Sequence, residues 1–275
     1  MFQISYSQTT KTEITLTKLW ETDTILKTAE AVRYYPEKEM IFVSNIGGVP
    51  PNKKDGDGYI SLLSKDGKII KKDWVTGINA PKGLNFFNGK LFVGDIDTVV
   101  EINIETGEIE KTHIVTDAVF INDLDIDTNG DIYVTDSQDE KIFRIVNGES
   151  SLWLDAKGFY PNGILVEENR ILILSSSKGE LIAIDKITKN KTVLASGVRG
   201  GDGIVPIKEG YLLSAFQGEL FFADKSMINT PAVKLLDTRA NKLNAADMSF
   251  IPKENILLVP TFYGNTVVAY KLDYK

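Results

Sequence analysis

No cysteine occurs in this chain, which excludes disulfides, thiol catalysis and thiolate-bound metals. That absence does not fix a compartment, because secreted bacterial proteins often lack cysteine too. Histidine is nearly absent: His113 is the only one. No apolar run reaches the ~18 residues of a membrane span, so the body reads as soluble. No run of lysine or arginine accompanies the net charge of −7 and the pI near 5.0, which argues against a nucleic-acid partner. No stretch of ten or more residues carries the spacing of an amphipathic helix. The opening "MFQISYSQTT" lacks the basic start and long apolar core of a complete signal peptide. Residues 1–8 fit either a frayed terminus of a cytoplasmic protein or the tail of a leader, which would make the protein periplasmic or secreted.

What the chain does have is a repeat. At 275 residues and 43% hydrophobic it can bury a substantial core, and no linker divides it. The stretch "AVFINDLDIDTNGDIYVTDS" (118–137) reads as strand, Asn-Gly turn, strand. "FYPNGILVEENRILILSSS" follows forty residues later and "RGGDGIVPIKEGYLLSAFQG" forty after that. Aligning the residue before each first strand gives Glu30, Lys82, Asn122, Asn162, Asp202 and Asp247, with steps of 52, 40, 40, 40 and 45.

Each unit holds four short apolar runs, in the fourth unit "GILVEE", "RILILSSS", "GELIAIDK" and "KTVLASG". Even spacing of short strands predicts an all-β fold, a six-bladed β-propeller with four antiparallel strands per blade. The blades span approximately 30–77, 78–117, 118–157, 158–198, 199–239 and 244–275 in one domain. The last unit supplies only three strands, and "TEITLTKLWET" within 12–21 completes it, closing the ring. The loop "GGVPPNKKDGDG" (47–58) overhangs the mouth as a candidate lid.

In a propeller the first strand of each blade lies innermost, so the six aligned residues form a ring at one mouth of the channel. Three carboxylates, two amides and one ammonium give that ring a formal charge of −2. Carboxylates so crowded repel, and one takes up a proton unless a cation neutralises them. Hard oxygen donors without cysteine or histidine favour Ca²⁺, with Mg²⁺ second and Zn²⁺ a poorer substitute. A short polar residue before a strand can also be plain turn chemistry. That reading does not account for Glu30, a poor turn residue, nor for Asp202 inside "GGDGI".

A Glu opening blade 1, an Asn in blades 3 and 4 and an Asp in blade 5 resemble the calcium site of the gluconolactonase family. That family includes regucalcin and luciferin-regenerating enzyme, and the related diisopropylfluorophosphatase and paraoxonase propellers share the pattern. The resemblance extends over nearly the whole chain and is carried by the order and spacing of motifs such as "PNGI" and "GDGI". It implies that Glu30, Asn162 and Asp202 ligate Ca²⁺, with Asn122 a fourth ligand or a substrate contact, and that Asp202 is general base or nucleophile. The chain departs from the family at "TAEAV", where "EGP" is usual, and in having no histidine near the ring. His113 falls in the outer strand "EIEKTHIVT" of blade 2, as a surface or packing residue.

The expected protein is therefore a monomeric, calcium-dependent hydrolase of a small lactone or ester. The cation would polarise the carbonyl while Asp202 takes a proton from water or attacks directly. Lys82, Asn122 and Asp247 would contact substrate; for Lys82 the alternative is a stem that snorkels to solvent. Two other readings stay open: a non-catalytic propeller binding a ligand or protein, and a phosphotriesterase at the same metal. Asp95 and Asp136 read as loop-closing structure, Asp55–Gly58 as a turn, and Phe216, Phe262 and Tyr263 as either substrate wall or blade packing.

Overall fold

Consecutive apolar residues in the middle strands of each repeat demand cover on both faces. Arg170–Ser175 (RILILS) and Glu180–Asp185 (ELIAID) are buried along almost their whole length, whereas the following Lys191–Ser196 (KTVLAS) is largely open. That gradient is the pattern of blades stacked face to face around an axis. The computed structural model describes residues 13–274 and contains six sheets of that kind, each built on four antiparallel strands. The innermost strands are Ala29–Tyr35, Pro81–Phe87, Ile121–Ile126, Pro161–Val166, Gly201–Pro206 and Ser249–Ile251. Among the described residues the only helix is a 3₁₀ turn at Arg239–Asn241. Residues 1–8, read above as terminus or leader remnant, lie outside the described residues.

Each pair of neighbouring blades seals its own apolar seam. Ala31, Phe42 and Ile60 of blade 1 meet Leu84, Leu91 and Val93 of blade 2. Leu258 and Val267 of blade 6 meet Val32, Ile41 and Val43 of blade 1. Leu258 is fully buried there, and cutting it to alanine costs about 2–5 kcal/mol.

The ring closes between the chain's two ends. Ile14–Glu21 pairs with Val267–Tyr274, from Ile14 opposite Tyr274 to Glu21 opposite Val268. Blade 4 carries an addition that the repeat does not foretell: Thr230–Pro231 runs parallel to the edge of Lys191–Ser196, Ala195 facing Thr230.

In the first five blades the innermost strand carries a bulge near its start. The pairing steps from Pro161 opposite Ser175 to Ile164 opposite Ile173, and the same shift recurs after Ala29, Pro81, Ile121 and Gly201. Two residues there oppose one, which turns the first of them out of the ladder. Glu30, Lys82, Asn122, Asn162 and Asp202 are those first residues. They sit inside the innermost strands, one position later than a reading that places them ahead of the strand.

The second bulge residue has little room. A Cβ on Gly83 would fall 2.2 Å from Asp123 Oδ1 and 2.6 Å from Asp123 Cα, and one on Gly163 would fall 2.0 Å from the Asp202 carbonyl oxygen. Side-chain hydroxyls take up backbone groups that the bulges free. The N–H groups of Ala31, Asp123 and Gly203 donate to Ser44 Oγ (3.0 Å), Thr135 Oγ1 (3.1 Å) and Ser214 Oγ (2.7 Å). Thr135 and Ser214 donate onward to the next blade, at Asn162 O (2.7 Å) and Ala246 O (2.9 Å). Buried hydroxyls therefore fix one ring position relative to the next.

Candidate functional site

The bulges bring Glu30, Lys82, Asn122, Asn162 and Asp202 to the floor of one cavity of about 310 Å³ at the channel mouth. Ile46, Pro51, Phe120, Phe216, Phe262 and Tyr263 form much of its wall. Pro51 belongs to the 47–58 loop, so that loop does reach the mouth.

Asp247 is not part of this floor. Counting back from Ser249 opposite Leu258 makes Met248 the equivalent of Ile164 and Ile204, so Ala246 holds the ring position of blade 6 and Asp247 the one below it. Ala246 packs with Ile46, Ala80, Ile96 and Phe262 under the mouth. Asp247 instead pairs with Arg33, Nη2 to Oδ2 at 3.2 Å, one layer down the channel. The substrate-contact role read for Asp247 is thus corrected: it has the wrong depth by one residue.

Several floor oxygens have no partner. Glu30 Oε2 and Asn162 Oδ1 are buried and accept no hydrogen bond. Asn122 Nδ2 donates to Ser137 Oγ at 3.0 Å, which leaves Oδ1 as the group it can offer the cavity. Asp202 is 4% exposed. A buried polar atom left unpaired is costly unless a ligand meets it. These oxygens fit a hard cation in type. Among the described residues no three His, Cys, Asp or Glu side chains are gathered to hold a metal; the two carboxylates here would need both amides to complete a set.

The electrostatics point the same way. Burial, then the carboxylates of Asp202 and Asp247, push Glu30 well above the usual carboxylate range, with Lys82 opposing. Burial and Asp247 do the same to Asp202. Lys82 is 1% exposed, and burial pulls it down to about 8 against the attraction of Glu30, Asp95 and Asp136. Its ammonium donates to Ala80 O at 3.2 Å and lies 4.3 Å from the centre of the Phe120 ring. The snorkelling alternative is therefore set aside; the charge is held inside.

Beneath the floor runs a polar column that the sequence reading overlooked. Arg33 Nε donates to Leu84 O at 2.8 Å, and its guanidinium faces Asp247, Asp123 and Asp125. Asp123 accepts from the N–H groups of Leu124 (2.7 Å) and Ile164 (2.9 Å), and Asp125 from Val166 (2.6 Å). The signal was "INDLDI", whose alternating polar residues look like a solvent face but belong to an innermost strand that faces the channel.

Other expected roles fall into place. Asp95 accepts from Asn79 N (3.0 Å) and Ala80 N (2.7 Å), and Asp136 from Val119 N (2.6 Å), so both close loops. His113 lies buried in Ile109–Ile114, Nε2 at 2.9 Å from Glu101 Oε2, away from the cavity.

No protein-family model and no curated protein matches the chain. Solved structures do. One is a catalytically inactive histidine-to-alanine variant of virginiamycin B lyase from Staphylococcus aureus with quinupristin, at TM-score 0.63 and 11% identity over 95% of this chain and 99% of that one. Selenomethionine-substituted virginiamycin B lyase from Staphylococcus aureus matches at TM-score 0.62 and 14% identity over the same shares. At such identity the likeness establishes a shared six-bladed fold. The gluconolactonase resemblance gains no sequence-family support, and the site must carry its own chemistry.

Proposed function

We propose that this chain is a calcium-dependent hydrolase of a lactone or small ester, with Glu30, Asn122, Asn162 and Asp202 holding the cation and Asp202 moving the proton. The observation that carries this reading is the pair of buried, unpartnered oxygens, Glu30 Oε2 and Asn162 Oδ1, at the floor of a cavity open to substrate. When bound, the cation would supply Lewis-acid polarisation of the carbonyl.

The protein's own groups supply the rest. Burial and Asp247 raise Asp202 in the metal-free protein; a cation beside it would favour the ionised form, in which it suits a base acting on water. Lys82 lowers the cost of ionising Glu30. The bond from Asn122 Nδ2 to Ser137 keeps its carbonyl oxygen turned to the floor. The structural neighbours are enzymes by name, and one is inactive on loss of a histidine. With its only histidine outside the cavity, this chain would have to use a carboxylate in such a role.

One observation favours a second reading. The buried Lys82 ammonium already supplies a positive charge beside Glu30, so the cavity could take an anionic ligand without catalysis. Thermal unfolding of chelator-stripped protein with and without millimolar Ca²⁺ separates the two. A ligand at ~100 times its Kd adds about 2.7 kcal/mol to the native state. A rise in Tm that the Asn162→Ala, Asp202→Ala double variant loses supports the metal site, and a lactone, ester and phosphotriester panel then identifies the reaction. No rise in either protein removes the hydrolase reading as stated.

A further inference from the structure

The cavity wall is largely aromatic and aliphatic, with Ser176 and Gln217 its polar members. Above the oxygens and the ammonium, Ile46, Phe120, Phe216, Phe262 and Tyr263 face the space a substrate would fill. Three of them form one aromatic unit: Phe216 and Phe262 meet edge to face at 5.0 Å between ring centres, and Phe262 and Tyr263 at 4.8 Å. Phe262 is 6% exposed while Tyr263 is 61% exposed at the rim, so the unit runs from the interior to the opening.

Phe262 is held in place at a cost. Its φ of 47° lies in the left-handed region that a bulky side chain avoids. Backbone bonds fix it there, from Phe262 N to Ala29 O at 3.1 Å and from Asn265 N to Phe262 O at 3.0 Å. Asn265 Oδ1 in turn accepts from Thr28 N at 2.9 Å. These bonds place an aromatic ring beside the blade 1 strand that carries Glu30.

We infer that the cavity prefers substrates with an alkyl or aryl limb on the reacting carbonyl to polyhydroxylated ones of the same ring size; this rests on the reading above that the cavity is a substrate site. A carbonyl at the floor would meet the polar groups, while a hydrocarbon limb would displace water from the aromatic wall. A sugar lactone brings no such limb to the rings and displaces less water from them, even where Ser176 and Gln217 of the wall meet its hydroxyls. A volume of about 310 Å³ lies at the small end of ligand sites, so the limb is short.

The test uses hydrolysis-resistant analogues, so that binding is read apart from turnover. Calcium-loaded full-length protein is titrated calorimetrically with a pentyl-substituted δ-lactam and with gluconolactam. The expected result is at least tenfold tighter binding of the alkyl lactam. Tyr263→Ala, at an exposed position, and Phe216→Ala should each narrow that ratio. Equal affinities, tighter gluconolactam, or no binding of either overturns the inference. Hydrolysis of the matching lactones is scored separately: selective binding without turnover keeps the apolar wall and removes the hydrolase.

Discussion

Lowering the pH should stabilise the metal-free protein over a range where most proteins gain nothing. The perturbation is a change from about pH 6.5 to 4.5 in the presence of chelator. Asp247, at 3% exposure, has its carboxyl pushed up to about 6 from 3.8, by burial that Arg33 only partly offsets. An acid raised in the folded state keeps its proton where the unfolded chain has lost it, so stability is present at low pH and falls as pH rises toward 6. Integrated between those two pH values, Asp247 alone contributes about 2 kcal/mol. Glu30, Asp123 and Asp202 are shifted the same way and steepen the slope. Lowered carboxylates oppose it only in part: Asp66, lowered to about 2 by Lys68 and Ser64, loses its contribution mainly below pH 4.5, while Glu21, Glu39, Glu101 and Glu110 begin to lose theirs within the window. Lys82, lowered to about 8, acts only above neutrality. Urea unfolding at a series of pH values, for wild type and Asp247→Asn, measures this directly. A flat or rising profile from 4.5 to 6.5 in wild type, or the same slope in Asp247→Asn, would falsify the buried acidic column.

Four further outcomes are expected. Millimolar Ca²⁺ should flatten that pH profile, since a cation at Glu30 and Asp202 favours their ionised forms; an unchanged slope counts against the site. Asp202→Asn should reduce kcat by about 10²-fold or more and remove the Ca²⁺-induced rise in Tm, while the metal-free variant is at least as stable as wild type at neutral pH because a buried carboxyl that must there either take up a proton or carry a charge is gone; retained turnover refutes the role of Asp202. Arg33→Met should cost about 3–5 kcal/mol by stranding Asp247, with recovery in the Arg33→Met, Asp247→Asn double variant, and a loss that persists in the double variant shows that the pair is not the cause. His113→Gln should leave turnover unchanged, because its contact is with Glu101 on the outer blade; a large kinetic loss would show otherwise.

The blades were legible because a repeat exposes its own register. Five of the six landmarks fix one another: once Asn122, Asn162 and Asp202 align at forty-residue steps, Glu30 and Lys82 follow from the same strand pattern. The sixth landmark failed for a chemical reason. The "AADMSF" stretch offers one acidic residue, and aligning on acidity selected Asp247 over its neighbour Ala246. The extra strand Thr230–Pro231 and the 3₁₀ turn fall within that 45-residue step and hide the count. Arg33, Asp123 and Asp125 were missed because alternation reveals two faces of a strand without saying whether the polar face meets solvent or a channel. The hydroxyl links from Thr135 and Ser214 were likewise invisible, since Ser and Thr in a buried strand look unremarkable until the facing bulge is known.

The pairing of Ile14–Glu21 with Val267–Tyr274 sets an order of events for a chain made from its N-terminus. This strand emerges well before its partner, which lies about 250 residues later, and contacts of such sequence separation form slowly. Blade 1 meanwhile has one open flank, where Val32, Ile41 and Val43 await Leu258 and Val267. Until that seam forms, Glu30 is related to Asp202 only the long way round, through the seams of the intervening blades. Ligand binding at the floor would then report a completed circle, and a nascent or C-terminally truncated chain would expose apolar edges prone to association while having no working mouth.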